Sequence, residues 1–448
     1  MNTSKIESSV LILTIGTGNQ NNIEDSLYTP LQKSIDDGNW TQIILLPSQS
    51  TLQQAKEVKR RNNHLLIEPK IIPIPNDGDE NDADATFTHF DQVLRKIIES
   101  DGIPSESITL DFTRGTKAMS AALVLAGVAW NIPILRYIEG ERGDGGRVIA
   151  GTEKIKSVNP EVATARQQII LIERLMRRGD FEAVPKLSIN DSFHKESLPI
   201  SMLTQLKAYI YVAKIYAAWD RFDYKGAHEL MNSNQEVTSS AGEFSPTQEM
   251  KEWMGHLAEI PCREIDSDQY EERMAEYTGY LVCDLLANAE RRFRDGHFED
   301  AGTRWYRVLE LIGQARLFNY GYDSGRLPEN DDKVKEFNNY LLKKKSKPLD
   351  SRNGFMIASK LQTLRLLKKE FNDPMATILL NESNKDYVRA RNHGLLAHGF
   401  KALSSGLDKD SATEIIESLN GILKRDKNIS DQWILVARSL DFSQSRVK

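Results

Sequence analysis

The first 150 residues alternate between two patterns of apolar positions. Val10–Ile15 is an apolar run of the kind found in strands that are buried on both faces, and it ends at a glycine-bearing turn. Later runs predict four more strands, with segments of helical spacing between them: strands at 43–46, 71–74, 108–111 and 132–138, helices at 52–58, 87–98 and 116–130. Strands that alternate with helices predict a Rossmann-like α/β domain with a mostly parallel sheet.

After Thr152 the strand signals stop, and helical periodicity continues to the end of the sequence. This C-terminal region is therefore predicted to be all-α. Gly179–Glu182 and Gly296–Glu299, with Asp220–Asp223 as a looser third copy, resemble the turns of helical hairpins. We predict three domains: an α/β domain over 1–152, a helical connecting region with hairpin repeats over 153–332, and a last helical domain over 333–448.

Composition narrows the function classes. The net charge of −6 disfavours a protein that coats duplex nucleic acid, although it allows an enzyme that handles RNA at one small site. The only two cysteines, Cys262 and Cys283, have no CxxC spacing, which disfavours a disulfide framework and a zinc site. No apolar stretch is long enough to span a membrane, and no secretory signal is expected at the N-terminus. The sequence predicts a cytoplasmic protein.

Two strand-to-helix turns carry the candidate binding chemistry. In a doubly wound sheet, ligands bind at the carboxyl ends of the strands, where exposed backbone N–H groups and helix N-termini attract anions. Ser48, just past the second strand, lies on the same rim. We predict a phosphate-binding site with these residues: Gly16, Thr17, Gly18 and Asn19 in the first turn, Ser48, and Asp111, Thr113, Arg114, Gly115, Thr116 and Lys117 in the second.

Two common nucleotide motifs are absent from these turns. Neither is a GxxxxGK[ST] phosphate loop, and neither is a GxGxxG dinucleotide fingerprint. Hydrolysis of a nucleoside triphosphate and hydride transfer are therefore poor interpretations of the site.

A histidine-containing segment near the C-terminus carries the candidate catalytic chemistry. Arg391 and His398 are seven residues apart and share one face of a helix. A histidine can move the proton of an RNA 2′-hydroxyl or of the leaving 5′-oxygen, and an arginine can neutralise charge on the phosphate. Asn392 can position the phosphate or the hydroxyl. Arg389 and His393 form a competing pair at i, i+4.

Both parts resemble a known family. The glycine-bearing first turn and the segment Asp111–Lys117 resemble the ligand turns of CARF domains, which sense cyclic oligoadenylates in type III CRISPR systems. Arg391-Asn392 followed by His398 resembles the R-x(4–6)-H motif of HEPN ribonucleases. The resemblance favours Arg391 over Arg389, because a polar residue follows Arg391 directly, as in that family. The order of the two parts resembles that of CRISPR-associated CARF–HEPN ribonucleases, and the segments Ala217–Phe222 and Leu285–Arg291 resemble the middle of one such subfamily.

This resemblance implies a metal-independent endoribonuclease of antiviral defence that cuts single-stranded RNA to 2′,3′-cyclic phosphate ends and binds neither DNA nor membrane. It implies a homodimer that shares one cyclic oligoadenylate, with cyclic tetra-adenylate favoured over cyclic hexa-adenylate as the activator, and with no cofactor. Arg391, Asn392 and His398 of both subunits would form one composite catalytic site. Two alternatives stay open: a ligand-sensing regulator without RNase activity, and a ring nuclease that uses Thr17, Thr113 and Lys117 to degrade the ligand.

Overall fold

The computed structural model describes residues 9–141, 151–187, 198–261, 269–388 and 409–442. Their contacts divide the chain into two compact units. The first unit holds the described residues up to Leu171 and the stretch 198–203, and the second holds 172–187 and the described residues from Thr204 onward. The predicted domain boundaries stay predictions.

The first unit is built on a six-stranded sheet with the order β3-β2-β1-β4-β5-β6. The strands are β1 Val10–Ile15, β2 Gln42–Pro47, β3 Lys70–Ile71, β4 Ile108–Asp111, β5 Ile134–Glu139 and β6 Lys154–Val158. Strands β1 to β5 pair in parallel, and β6 pairs antiparallel with β5. The predicted fold class, an α/β domain with a mostly parallel sheet followed by an all-α region, is confirmed.

Strand β1 is buried along its whole length because apolar side chains cover both faces of the sheet. Alternate residues of the strand enter two separate cores, with Val10 and Ile12 in one and Leu11 and Leu13 in the other. The helices of this unit are α1 Thr29–Asp36, α2 Leu52–Arg61, α3 Ala83–Arg95 and α4 Lys117–Ala129. One core includes residues of α3 and α4, and the other includes residues of α1 and α2.

Strand β6 departs from the expectation that no strand follows Thr152. Its side chains are exposed except that of Ile155, which is partly buried, so this edge strand has no apolar run that would reveal it. The predicted strand at 71–74 is also shorter in the structure, because ladder pairing gives only Lys70–Ile71. The amides of Ile72 and Ile74 still donate to the Leu45 and Pro47 carbonyls over 2.9 Å, so the chain stays beside β2 past the end of the ladder.

The rest of the described chain is mainly helical. Its helices are α5 Glu161–Arg178, α6 Ile200–Asp220, α7 Tyr224–Ser233, α8 Gln235–Ser239, α9 Gln248–Ala258, α10 Tyr270–Arg294, α11 Phe298–Phe318, α12 Asp332–Lys343, α13 Lys360–Glu370, α14 Ala376–Glu382, α15 Lys409–Arg425 and α16 Asp431–Ala437. A small antiparallel sheet, β7 Leu327–Pro328, β8 Asp350–Arg352 and β9 Phe355–Ile357, lies within this region and was not predicted. Among the described residues, no helix has the length and apolar character needed to cross a membrane.

The three repeated segments are helix-ending turns of one kind. After α5 and α10, Gly179 and Gly296 adopt left-handed conformations with φ of 81° and 80°. After α6, the same position is taken by Phe222 at φ 66°. In each case, the next amide donates to the carbonyl five residues earlier, which is the hydrogen bond of a Schellman cap. The third copy therefore aligns on Phe222-Asp223, two residues later than its sequence pattern suggests.

Candidate functional site

The two predicted turns lie at adjacent strand ends where the order of the sheet reverses. From β1 the chain continues to β2 and β3 on one side, whereas β4 and β5 lie on the other side. The turn after β1 and the turn after β4 thus border the crevice where doubly wound sheets bind ligands.

The first turn contacts the second through backbone. A Cβ atom added to Gly16 would lie 2.7 Å from the backbone nitrogen of Gly115, so no larger residue fits without moving a turn. Gly18 adopts a left-handed φ of 67°, and Thr17 between the glycines is exposed. The amide of Asn19 donates to the Ser26 hydroxyl over 2.7 Å. The structure therefore brings Gly16 and Gly115 together and leaves the Thr17 side chain accessible.

The second turn is held by the carboxylate of Asp111, which is 1% exposed. Its Oδ1 accepts the Thr113 amide over 2.9 Å and also accepts the Thr113 hydroxyl. Thr113 Oγ1 in turn accepts the amide of Ile138, in β5, over 2.9 Å. The Arg114 carbonyl accepts the hydroxyl of Thr14, in β1. These bonds fasten the turn to both neighbouring strands.

The end of the second turn begins helix α4. Thr116 is the N-cap, and its hydroxyl accepts the Met119 amide over 3.1 Å and donates to the Glu80 carbonyl. Lys117 is the first residue of the helix and its side chain is exposed. The helix places the positive end of its dipole and an exposed ammonium group beside the turn, which favours an anion.

Two predicted site residues are less accessible than their positions suggested. Ser48 is buried, and its Oγ lies 3.0 Å from Thr51 Oγ1, which donates to the Ile15 carbonyl over 3.0 Å. Arg114 is partly buried, its Nε has no hydrogen-bond partner among the described residues, and burial lowers its pKa. Ser48 therefore serves the local backbone in this structure, whereas Arg114 retains unused donor capacity.

Sequence reasoning missed the groups beneath the second turn. Arg136, in β5, is 4% exposed and forms an ion pair with Asp111, with 3.5 Å between Nε and Oδ2. Ser34, in α1, donates its hydroxyl to the same Oδ2. The signal that could have found Arg136 is a charged residue inside the apolar run 134–138, because buried charges are rare unless they are paired.

The predicted catalytic residues Arg391, Asn392 and His398, with the competing His393, lie outside the described residues. The elements on either side are described and share one buried carboxylate. Glu382, at the end of α14, accepts the Tyr387 hydroxyl over 3.0 Å and the Ser418 hydroxyl, from α15, over 2.9 Å. Lys385 lies 2.9 Å from the same carboxylate. The Glu382 cluster, made of these four residues, joins the segment that precedes the predicted motif to the helix that follows it.

The described residues contain no candidate metal site. Within them, no group of three or more His, Cys, Asp and Glu side chains is arranged to hold a metal ion. Cys283 is buried, and burial raises the pKa of its thiol to about 12, which disfavours the thiolate form that binds metals.

Comparisons with known proteins cover both parts of the chain. The family model described as the Csm6 HEPN domain matches residues 270–425, a range that contains Arg391, Asn392 and His398. The CRISPR system endoribonuclease Csm6 of Thermus thermophilus is 24% identical over 339 residues, which cover 72% of this chain and 69% of that protein. A solved structure of Enterococcus italicus Csm6 bound to cyclic hexa-2′-fluoro-hexa-dAMP is 18% identical, with a TM-score of 0.46, and the match covers 97% of this chain and 99% of that one.

Proposed function

We propose that this chain, which belongs to the CRISPR-associated CARF–HEPN ribonucleases, is an endoribonuclease that a cyclic oligoadenylate activates in the cytoplasm during type III CRISPR antiviral defence. The proposed binding of the activator rests on one observation: the two glycine turns contact each other through backbone, at the place where the strand order of the sheet reverses. The match of the helical region to a HEPN family model supports the nuclease half.

Phosphate groups of the activator bind at the two turns in this proposal. Lys117 and Thr17 are exposed there, and the N-terminus of α4 supplies backbone donors and a favourable dipole. The glycines permit close approach of a phosphate to the backbone. The proposed site is made of Gly16, Thr17, Gly18, Asn19, Ser48, Asp111, Thr113, Arg114, Gly115, Thr116 and Lys117, of which Ser48 and Asp111 are buried.

RNA cleavage follows from the residue types of the predicted motif. The RNA 2′-oxygen attacks the adjacent phosphorus while the bond from phosphorus to the 5′-oxygen breaks. His398 moves protons, Arg391 neutralises the charge that grows on the phosphate, and Asn392 positions the reacting groups. The 2′-proton leaves to a base and the 5′-oxygen gains a proton, so no metal is needed. The products are a 2′,3′-cyclic phosphate and a 5′-hydroxyl.

An exposed apolar stripe on α4 supports the proposed homodimer. Leu125 is 56% exposed, and Ala121 and Ala129 are exposed on the same face at helical spacing. The stripe starts one turn after Lys117 of the proposed ligand site. A second copy that covers it would bring two ligand sites to one two-fold axis, as a symmetric ring requires. Sedimentation of the Leu125→Glu variant tests this, and a monomeric wild-type protein with and without activator would contradict it.

The main experiment measures cleavage of a labelled single-stranded RNA with no activator, with cyclic tetra-adenylate and with cyclic hexa-adenylate. We favour cyclic tetra-adenylate as the activator. His398→Ala is expected to abolish cleavage, whereas the matched His393→Ala retains it, both in the presence of a chelator. Cleavage that is unchanged by every ring, or that survives His398→Ala, would refute the proposal. Chromatography of the ring itself, in the same reactions, detects ring nuclease activity.

A further inference from the structure

The ion pair beneath the second turn is unusual for its location. Asp111 and Arg136 face each other in the register of β4 and β5, and both are almost fully buried. A buried ion pair seldom stabilises a fold more than apolar side chains of the same size would. Stability alone therefore gives a weak reason for this pair at the carboxyl end of the sheet.

The guanidinium of Arg136 is held on several sides. One terminal nitrogen donates to the Ser34 hydroxyl over 2.8 Å and to the Ser34 carbonyl, and the other lies 3.1 Å from a carboxylate oxygen of Asp37. The group also lies 5.0 Å from the centre of the Trp40 ring. Arg136 is thus fixed to the end of α1, and its Nε lies 3.5 Å from Asp111 Oδ2, which is an ion-pair contact and not a hydrogen bond.

The two oxygens of Asp111 have separate partners. Oδ2 faces Arg136 and accepts the Ser34 hydroxyl, whereas Oδ1 takes the amide and the hydroxyl of Thr113. These partners engage both oxygens of the carboxylate, which is shielded from solvent. Asp111 therefore acts on the turn from beneath and has no open face for an anionic ligand, which it would repel.

We propose that Asp111 and Arg136 are positioning residues that hold Thr113, and through it residues 114–117, in the conformation that binds the activator phosphate. Neither side chain touches the ligand. The inference rests on the proposed function, because it assumes that the second turn is the ligand turn. It replaces direct binding by the Asp111 side chain with an indirect role, and it adds Arg136 and Ser34 to the residues that determine affinity.

The test measures activator affinity by calorimetry and thermal unfolding on the full chain, using cyclic tetra-adenylate and cyclic hexa-adenylate. Arg136→Lys keeps the charge, but an ammonium group cannot reproduce the planar guanidinium and its several N–H donors. Ser34→Ala removes one hydroxyl from α1 without a change in charge. We expect affinity to fall about tenfold or more for Arg136→Lys and about threefold for Ser34→Ala, since a tenfold change corresponds to ~1.4 kcal/mol. Arg95→Lys is the control, because Arg95 is an exposed residue of α3 that pairs with Asp91 on the same helix and lies beside the Trp130 ring.

The RNase assay separates positioning from general damage. A displaced turn raises the activator concentration needed for half-maximal cleavage, whereas saturating activator restores the maximal rate. Variants that melt earlier but keep the wild-type affinity would show a purely structural role and overturn the inference. Wild-type protein that binds neither ring would refute the proposed function itself, so the two failures are distinguishable.

Discussion

Each unit of the protein contains a buried aspartate that pairs with arginine, and the helical unit also pairs Asp373 and Asp426 with Arg316. Asp111 in the sheet unit is 1% exposed and pairs with Arg136. Asp220 in the helical unit is 7% exposed and pairs with Arg291 and Arg292. Charge, burial and partner type are nearly the same in the two places.

The surroundings of the two aspartates differ. Asp111 also holds the amide of Thr113, in an irregular turn at a sheet edge that binds ligands in related folds. Asp220 accepts the side-chain amide of Asn288 over 3.0 Å, and every partner named for it lies on α10. The same ion-pair chemistry therefore fixes a loop in one unit and joins two helices in the other. The groups that surround each ion pair therefore determine its role.

Substitution of Asp220 by Ala should have the largest effect on stability. It leaves the buried guanidinium of Arg291 and the partly buried one of Arg292 without their shared carboxylate, which costs about 3–5 kcal/mol. Urea denaturation followed by circular dichroism measures the loss. The control Asp223→Ala removes only the N-cap of α7, at about 1 kcal/mol. If Asp220→Ala weakened activator binding as strongly as Asp111→Asn, the contrast between the two aspartates would fail.

Gly16→Ala should affect the sheet unit next most strongly. Its Cβ would lie 2.7 Å from the Gly115 nitrogen, so the two turns must separate. Overpacking of this kind costs about 1–3 kcal/mol, and we expect activator affinity to fall about tenfold by calorimetry. Gly421→Ala is the control, because a Cβ at that position meets nothing within 4 Å. Equal affinities for wild type and Gly16→Ala would exclude a role for the turn contact in binding.

The fold could be predicted where one local pattern determines each element. Strand β1 and helix α4 occur within one residue of their predicted bounds, because buried strands and apolar helices have strong periodic signals. Strand β6 and the small sheet β7–β9 could not be predicted. Their strands are short or exposed, and pairing with a distant partner, which no local pattern encodes, defines them.

The sequence predicts where the site lies, but it does not predict which side chains interact there. The order of strands and glycines locates both turns, since parallel strand ends share one edge. The sequence does not reveal that Asp111 faces Arg136, because this contact joins two strands that are far apart in the chain. Ser48 contacts Thr51, only three residues away, and the pattern of apolar and polar residues does not indicate whether such a hydroxyl faces its own turn or the ligand crevice. The predicted resemblance to the CARF–HEPN ribonucleases is confirmed, whereas the individual site residues stay predictions.

Glu382→Gln tests whether the helical unit has a positioning carboxylate of its own. The amide keeps the shape but weakens the charge-assisted bonds to Tyr387, Ser418 and Lys385. We expect the maximal rate of RNA cleavage to fall about tenfold, from a loss of ~1.5 kcal/mol, with activator affinity unchanged. The control Glu417→Gln changes an exposed carboxylate on the same helix as Ser418. An unaltered maximal rate would limit the Glu382 cluster to a structural role.

Lys117→Ala should have the smallest effect. Its ammonium is exposed at the start of α4, where water and salt screen its attraction to a phosphate. A loss of ~0.5–1 kcal/mol corresponds to activator binding that is about two- to fivefold weaker, and the difference should shrink as ionic strength rises. Lys96→Ala, an exposed lysine just after α3, controls for net charge. A loss far larger than fivefold, or one that salt leaves unchanged, would mean that Lys117 binds in a desolvated pocket. In that case the exposed residues of the second turn, and not the buried ion pair beneath it, would supply most of the affinity.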